Sequence, residues 1–269
     1  VPDTCIRVNT LKITTDAIKK QLKLKNISVE DIPYIQEGLS IKTGADTLFS
    51  EFLQTGLLYV QTASSMIPAK VLGPDAGDHV LDMCAAPGSK TTHIAALMGN
   101  RGSIDAWDVY PHKVKLIKDN AKRLGISIIH TEVRDSVKPL PFLYETYDKV
   151  LLDAPCSGLG VLGHKVELRW RRKESDLSVF PPLQKQLIEQ AAKYTKTGGV
   201  LVYSTCTLNP DENEHIINEF LSLHSEFAPE EFNFPVLGKS LNGMMPLYPD
   251  LVRSDGFFVA KLRKVSHEA

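Results

Sequence analysis

From residue 78 onward the chain alternates short apolar, β-branched runs with stretches whose apolar positions recur every three or four residues. That alternation is the pattern of a parallel sheet with helices on both faces, because each strand buries two sides and each crossover helix only one. HVLDMC (79–84), SIDAWD (103–108), SIIHTEV (127–133), KVLLDAP (149–155) and VLVYSTC (200–206) predict strands. Between them KTTHIAALMG (90–99), HKVKLIKDNAKRLG (112–125) and PLQKQLIEQAAKYTKTGG (182–199) predict helices, each running to a glycine that suits a left-handed C-cap. DENEHIINEFLSLH (211–224) predicts a further helix with acidic residues in the first turn, where the dipole favours them, and GFFVAKLRK (256–264) a last strand.

Residues 1–60 follow a different pattern. CIRVNTL reads as a strand, TTDAIKKQLKLKN as a helix and IPYIQEGLSIK as a strand, which predicts a small α+β appendage ahead of a main domain over 61–269. LFSEFLQTGLLYVQTASSMIPAKVLG (48–73) is expected to link the two. The pattern opens on Val1 in mid-run rather than on a Met, which leaves room for a preceding domain.

Composition narrows the class. With 269 residues, 43% hydrophobic and 23% charged, the chain can bury a sizeable core. No run reaches the roughly 18 apolar residues of a membrane helix, and the first residues lack a signal peptide's basic and apolar regions. A cytoplasmic protein without a membrane partner is expected. Cys5, Cys84, Cys156 and Cys206 are far apart and form no C-x-x-C pair, which argues against a metal site or a disulfide framework and for reduced thiols. A formal net charge of −1 gives no global attraction to nucleic acid, so any such role needs a local basic surface.

VLDMCAAPGSKT (80–91) reads as strand, small-residue loop and helix start, which places the loop at the carboxyl edge of the sheet, where ligands of open α/β folds bind. It matches neither the phosphate-binding pattern G-x-x-x-x-G-K-[ST], since Ser89 separates Gly88 from Lys90 and the earlier glycine is missing, nor G-x-G-x-x-G. The loop suits a nucleoside-type ligand without a pyrophosphate. Asp108, ending the second strand, stands where an acid would bond a ribose diol, and Asp135, after the third, where one would meet an adenine amino group. Aspartates at strand ends also cap turns; their order along the chain together with the loop favours a ribose- and adenine-bearing cofactor.

DMCAAPGSKT, LLDAPCSGLG and YSTCTLNPDENE together resemble the Sun family of S-adenosylmethionine-dependent RNA cytosine-5 methyltransferases, most nearly its bacterial members that act on small-subunit ribosomal RNA. The resemblance runs from RVNTLK (7–12) to GFFVAKLRK. It implies an α/β, Rossmann-like class I methyltransferase with a mostly parallel seven-stranded sheet, and S-adenosyl-L-methionine as cofactor. It also implies that Cys84, Ala85, Ala86, Pro87, Gly88, Ser89 and Lys90, with Asp108, Asp135 and Asp153, line the cofactor. Lys113, in the first turn after Asp108, falls where relatives often have a basic residue; a solvated helix lysine is the plain alternative.

The chemistry so implied gives the cysteines work. C5 of cytosine is too weak a nucleophile to take a methyl group unaided, so a thiolate must first add at C6. Addition drives electrons to C5 only if N3 is protonated or hydrogen-bonded, and Asp153, three residues before Cys156, is placed for this if DAPC turns toward the cofactor. Afterwards the C5 proton and the thiol must leave, and a second thiol can assist. Cys156 and Cys206 each end a strand of one parallel sheet and so can share a pocket; spacing does not say which attacks. The resemblance does, matching Cys206 of S-T-C to the nucleophile and Cys156 of P-C to product release. Small buried residues at strand ends are the plain alternative for both. Lys90 either bonds toward Asp153 or is a solvated first-turn lysine. Cys84 fits its loop by size, Cys5 packs the first strand, and Asn209, Pro210 and Glu212 are expected to shape the turn and helix start.

GHKVELRWRRK (163–173) sets five Lys or Arg around Trp170, which suits phosphates plus a stacked base, or a solvated connection. The expected partner is RNA, by resemblance ribosomal, single-stranded or locally opened so that a base can reach a pocket thiol. Two departures from the family pattern touch RNA choice rather than thiol chemistry: GHKVE in place of an R-R-x-P-E-like stretch, and Thr62 where an acid usually follows V-Q. Two other functions compete. An amino-group methyltransferase uses a D-P-P-[YF]-like loop at this edge, but Cys156 replaces its aromatic; the other is an RNA-binding assembly factor without turnover.

Overall fold

A computed structural model describes residues 4–44, 51–163, 170 and 174–266. The chain forms two main sheets. The first holds β1 (Cys5–Val8), β2 (Ser28–Ile32), β3 (Ile35–Thr43) and β4 (Leu58–Val60) in the order β2-β3-β1-β4, antiparallel throughout. Helix α1 (Thr15–Leu24) starts where the Thr14 hydroxyl accepts from Ala17 N–H at 3.3 Å, and it buries Ile18 and Leu22 against Ile6, Val8, Leu39 and Leu58 of this sheet. The expected strand 32–42 is broken by a turn at Pro33–Tyr34, since proline cannot donate to a ladder.

The second sheet is ordered β10-β14-β9-β8-β5-β6-β7. Its parallel core is β5 (His79–Asp82), β6 (Ser103–Asp108), β7 (Ile129–Val133), β8 (Tyr147–Asp153) and β9 (Thr195–Thr205). β14 (Phe257–Lys264) runs antiparallel beside β9. Eight strands fill the seven expected positions, because the outer edge of β14 is shared end to end by β13 (Met244–Leu247), paired to residues 257–260, and β10 (Phe227–Pro229), paired to 262–264. A small hairpin of β11 (Asn233–Phe234) and β12 (Gly238–Lys239) stands between those two in sequence.

Helices cover both faces. Val200 and Val202 of β9, Leu151 of β8 and Val259 of β14 share a core with α2 (Ala63–Leu72), α3 (Ser89–Leu97) and α4 (Pro111–Leu124). The alternate residues Leu201, Tyr203, Val150, Leu152 and Phe258 pack against α5 (Phe180–Tyr194) and α6 (Glu214–Leu223). This two-sided burial is why the strands read as continuous apolar runs. Cys5, Ile35 and Tyr59 of the first sheet join the α2 core, so α2 lies between the two sheets. Among the described residues no helix is long and apolar enough to cross a membrane.

Three helix ends differ from expectation. Of the three helices expected to run to a glycine, α4 alone is capped by one, Gly125 at φ 76°. α3 is capped by Met98, and α5 stops at Tyr194 because Thr195 is recruited into β9 opposite Tyr147. The helix expected from Asp211 begins at Glu214; Pro210–Glu212 form a 3-10 turn and Asn213 breaks the spiral at φ −123°, ψ −99°.

Candidate active site

The loop after β5 continues the sheet's bonding before it turns. Met83 N–H donates to Leu151 O at 3.0 Å, Ala85 N–H to Trp107 O at 2.8 Å, and Gly88 N–H closes the turn on Ala85 O at 2.7 Å. The Ala86–Pro87 peptide is cis. Gly88 has φ 96°, where an L side chain is strained, and a Cβ there would stand 3.2 Å from Ile117 Cα of α4, a tight approach that α4 would have to yield to. The helix start at Ser89 then turns Lys90 inward.

Lys90 is buried, so the solvated reading fails. Its ammonium lies 2.7 Å from Asp153 Oδ2, 3.0 Å from Ser65 Oγ and 5.1 Å from the centre of the Phe257 ring. The other Asp153 oxygen accepts from Ser204 Oγ at 2.7 Å. The carboxylate is fixed from both sides, yet remains partly exposed. Beside it the ends of β8 and β9 bring Cys156 Sγ to 3.2 Å from Cys206 Sγ. The hydrogen bond with Cys206, then burial, push the Cys156 thiol well up, so Cys156 holds its proton. No disulfide joins them.

A cavity of about 400 Å³ opens over this group. Cys84, Ala85, Ala86, Pro87, Ser89 and Lys90 line it, as do Asp153 and Cys206. A larger cavity of about 800 Å³ lies between the first sheet and Phe232–Pro235, and none of the candidate residues lines it. We place the site in the smaller one, because the titratable groups converge there. Burial, then the carboxylates of Asp82, Asp153 and Asp108, push the Cys84 thiol well up, which makes it a neutral wall residue.

Asp108, Lys113 and Asp135 stand at the same carboxyl edge but do not line this cavity. Asp108 ends β6 and accepts from Tyr110 N–H at 3.1 Å; the Lys113 ammonium sits 4.6 Å from the Tyr110 ring centre. Asp135 accepts from Val137 N–H at 3.2 Å. Of the basic stretch 163–173, all but Gly163 and Trp170 lie outside the described residues; Trp170 is exposed.

Several site residues escaped the sequence reading. Asp82, last in β5, lines the cavity; burial raises its pKa to about 7 against the opposing hydrogen bond from Thr91, 2.7 Å from Oδ2. Its Oδ1 has no protein hydrogen-bond partner, so it is a polar atom ready for a ligand's donor. With the small-residue loop beside it, this fits a compact cofactor carrying an amino group. Tyr59 and Gln61, from the stretch read as a linker, form one wall with Thr62, which the sequence set apart only as a departure from the family pattern. Behind them Arg7 of β1 donates to Ser89 O at 2.6 Å, to Thr92 Oγ1 at 2.8 Å and to Gln61 Oε1. Burial lowers the Arg7 pKa to about 10, which still leaves it charged at neutral pH. The first sheet therefore grips the first turn of α3 and the cavity wall at once. RVNTLK carried the only signal, an arginine in an otherwise apolar strand.

The Cys206 end is held by backbone packing. Gly160 N–H donates to Cys206 O at 3.0 Å and Gly256 N–H to Gly160 O at 2.9 Å. A Cβ at Gly160 would lie 2.0 Å from Gly256 O and 2.9 Å from Cys206 O. Gly160→Ala is expected to break both bonds and destabilise the fold by about 1–3 kcal/mol, read as a lowered midpoint of denaturant unfolding; an unchanged midpoint would remove this contact from the account.

Comparison with known proteins shows the family and the fold. A family model described as 16S rRNA methyltransferase RsmB/F matches residues 69–263. The chain is 37% identical over 98% of its length to a probable ribosomal RNA small subunit methyltransferase B of Bacillus subtilis, and 40% identical over 97% to ribosomal RNA small subunit methyltransferase F of Erwinia tasmaniensis. It spans 60% and 57% of those two relatives. Among solved structures, a methyltransferase homologue from Pyrococcus horikoshii superposes with a TM-score of 0.86 at 34% identity, covering 98% of this chain and 87% of that one. NSun6 of Pyrococcus horikoshii, determined with SFG, gives 0.86 at 28% identity, covering 99% and 91%. The fold is thus the Rossmann-like one of methyltransferases, and the chain belongs to the RsmB/F family of 16S rRNA methyltransferases.

Proposed function

We propose that this chain is the catalytic part of an S-adenosylmethionine-dependent ribosomal RNA methyltransferase that modifies C5 of a cytosine through a covalent bond from Cys206 to C6. The observation that carries the reading is the pair of thiols 3.2 Å apart, beside a carboxylate fixed by Lys90 and Ser204 at the mouth of the loop cavity. The loop from Cys84 to Lys90, with Asp82 Oδ1, holds the cofactor; Asp108, Lys113 and Asp135, farther along the same edge, hold its nucleoside end. A relative of the same fold was determined with SFG, an analogue of this cofactor, which supports the assignment. When bound, the cofactor supplies an electrophilic methyl group.

Cys206 lines the cavity and Cys156 does not, which agrees with the family resemblance in making Cys206 the attacking thiolate. As its sulfur bonds to C6, negative charge builds toward N3, which takes a proton through Asp153 that Lys90 replaces. The electron pair so placed at C5 would form the new carbon–carbon bond to that methyl group while the methyl–sulfonium bond breaks, its electron pair staying on the donor sulfur as a neutral thioether. Loss of the C5 proton to a base and return of the N3 proton then break the bond from C6 to sulfur. Cys156 S–H hydrogen-bonds the departing Cys206 thiolate and lowers the barrier to release.

A 16S ribosomal RNA transcript with 5-fluorocytosine in place of cytosine cannot lose the last proton, because fluorine occupies its place. Incubated with protein and S-adenosylmethionine, it should leave an adduct that mass spectrometry maps to Cys206. Methylation of ordinary RNA with no adduct on the fluorinated RNA would exclude the covalent route.

A further inference from the structure

Glu212 is fully buried, and every side-chain hydrogen bond found for its carboxylate is accepted from a neutral donor. Oε2 accepts from Ser157 N–H at 2.8 Å and Gln184 Nε2 at 3.1 Å; Oε1 accepts from Asn209 Nδ2 at 3.2 Å. A carboxylate at such depth is costly unless its lone pairs are filled, and two of the three donors that fill them, Ser157 and Gln184, lie outside the turn that Glu212 helps to shape. Gln184, buried on α5, also donates to Pro155 O at 2.9 Å. The peptide groups on both sides of Cys156, the Pro155 carbonyl and the Ser157 N–H, are therefore held by the Glu212–Gln184 pair.

The same carboxylate belongs to the turn after Cys206. Ser157 Oγ bonds Thr207 Oγ1 at 3.0 Å, Asn213 Nδ2 donates to Thr207 O at 3.0 Å, and Tyr203 OH donates to Glu212 O at 2.6 Å. Cys206 is thus also held by β9 and by Gly160, neither of which needs the Glu212 carboxylate. Cys156 lies in a loop without regular secondary structure, and of the two peptide groups that flank it one bonds Glu212 and the other bonds Gln184.

We infer that Glu212 is a positioning residue that holds Cys156 against Cys206 and so sets the rate of product release. The inference rests on the covalent route proposed above. Glu212 does not line the cavity, so its loss should spare cofactor binding and the first methyl transfer while slowing the break of the bond from C6 to sulfur.

The test uses ordinary 16S ribosomal RNA transcript and S-adenosylmethionine with wild type, Glu212→Ala, Glu212→Gln and the double variant Cys206→Ala/Glu212→Ala. Protein–RNA adducts are read on denaturing gels and S-adenosylmethionine affinity by calorimetry. Glu212→Ala should accumulate adduct at least ten-fold above wild type, with first-turnover methyl transfer and cofactor affinity within about two-fold, and the double variant should show none. Glu212→Gln should fall between, since one amide oxygen can still accept from Ser157. Should the alanine variant fail to fold, the glutamine variant carries the same readout, with a several-fold rise expected. Turnover within two-fold of wild type, or equal loss of first-turnover transfer and release, overturns the inference. A wild type that methylates ordinary RNA yet forms no adduct with the fluorinated RNA overturns the covalent reading first, and this inference with it.

Discussion

Replacing Cys206 by alanine is expected to lower methyl transfer by about ten-thousand-fold or more, because the neighbouring thiol, Cys156, does not line the cavity where C6 would be attacked. Cofactor binding should be retained. The loop, Lys90 and Asp153 are fixed by bonds that do not involve the Cys206 side chain, and the Cys206 carbonyl still accepts from Gly160. The cost to stability is that of one partly buried sulfur, about 1 kcal/mol. Single-turnover incorporation of labelled methyl, with calorimetry of S-adenosylmethionine, separates the two effects. Turnover at the wild-type rate would show that the covalent bond does not form at this residue.

The second large effect is expected at Asp153. Asparagine keeps the shape and one acceptor, but it cannot pass a proton to N3, and it sets an amide against Lys90 or Ser204, each of which now donates to a carboxylate oxygen. Turnover should fall about a hundred- to ten-thousand-fold. Stability should fall as well, by about 1–3 kcal/mol, because the buried Lys90 loses its counter-charge. A second change, Lys90→Met, removes the stranded cation, so the double variant should regain stability while staying inactive. Denaturant unfolding and methyl incorporation measure the two separately. Recovery of activity along with stability would reduce Asp153 to a structural partner of Lys90.

Much of the sheet was legible because its signal is local. HVLDMC, SIDAWD and VLVYSTC announce buried strands by their own side chains, and each strand of the parallel core formed close to where its apolar run lies. Residues 225–255 carried no such signal. β10 and β13 are three and four residues long, and they exist because β14 offers a free edge. The end of α5 was misjudged for a related reason: KYTKTGG suits a helix and its cap, but pairing of Thr195 with Tyr147 outweighs that preference.

The site divides along the same line. Residue identity determined which chemistry is available: a small-residue loop, an aspartate before one cysteine, a second cysteine at another strand end. Those features fix what the groups can do, since a thiol or a carboxylate brings its reactivity wherever it is placed. Tertiary structure alone decided which groups meet. Because β8 and β9 are neighbours, the cysteines stand 3.2 Å apart; because α3 starts inside the sheet edge, Lys90 meets Asp153; because β1 lies behind α3, Arg7 reaches Ser89. The carboxylate of Glu212 gained its place only when the turn after Cys206 closed over the loop that carries Cys156. Distances between residues 50 or more positions apart are set by strand order and helix packing, and these belong to the whole chain rather than to any stretch of it.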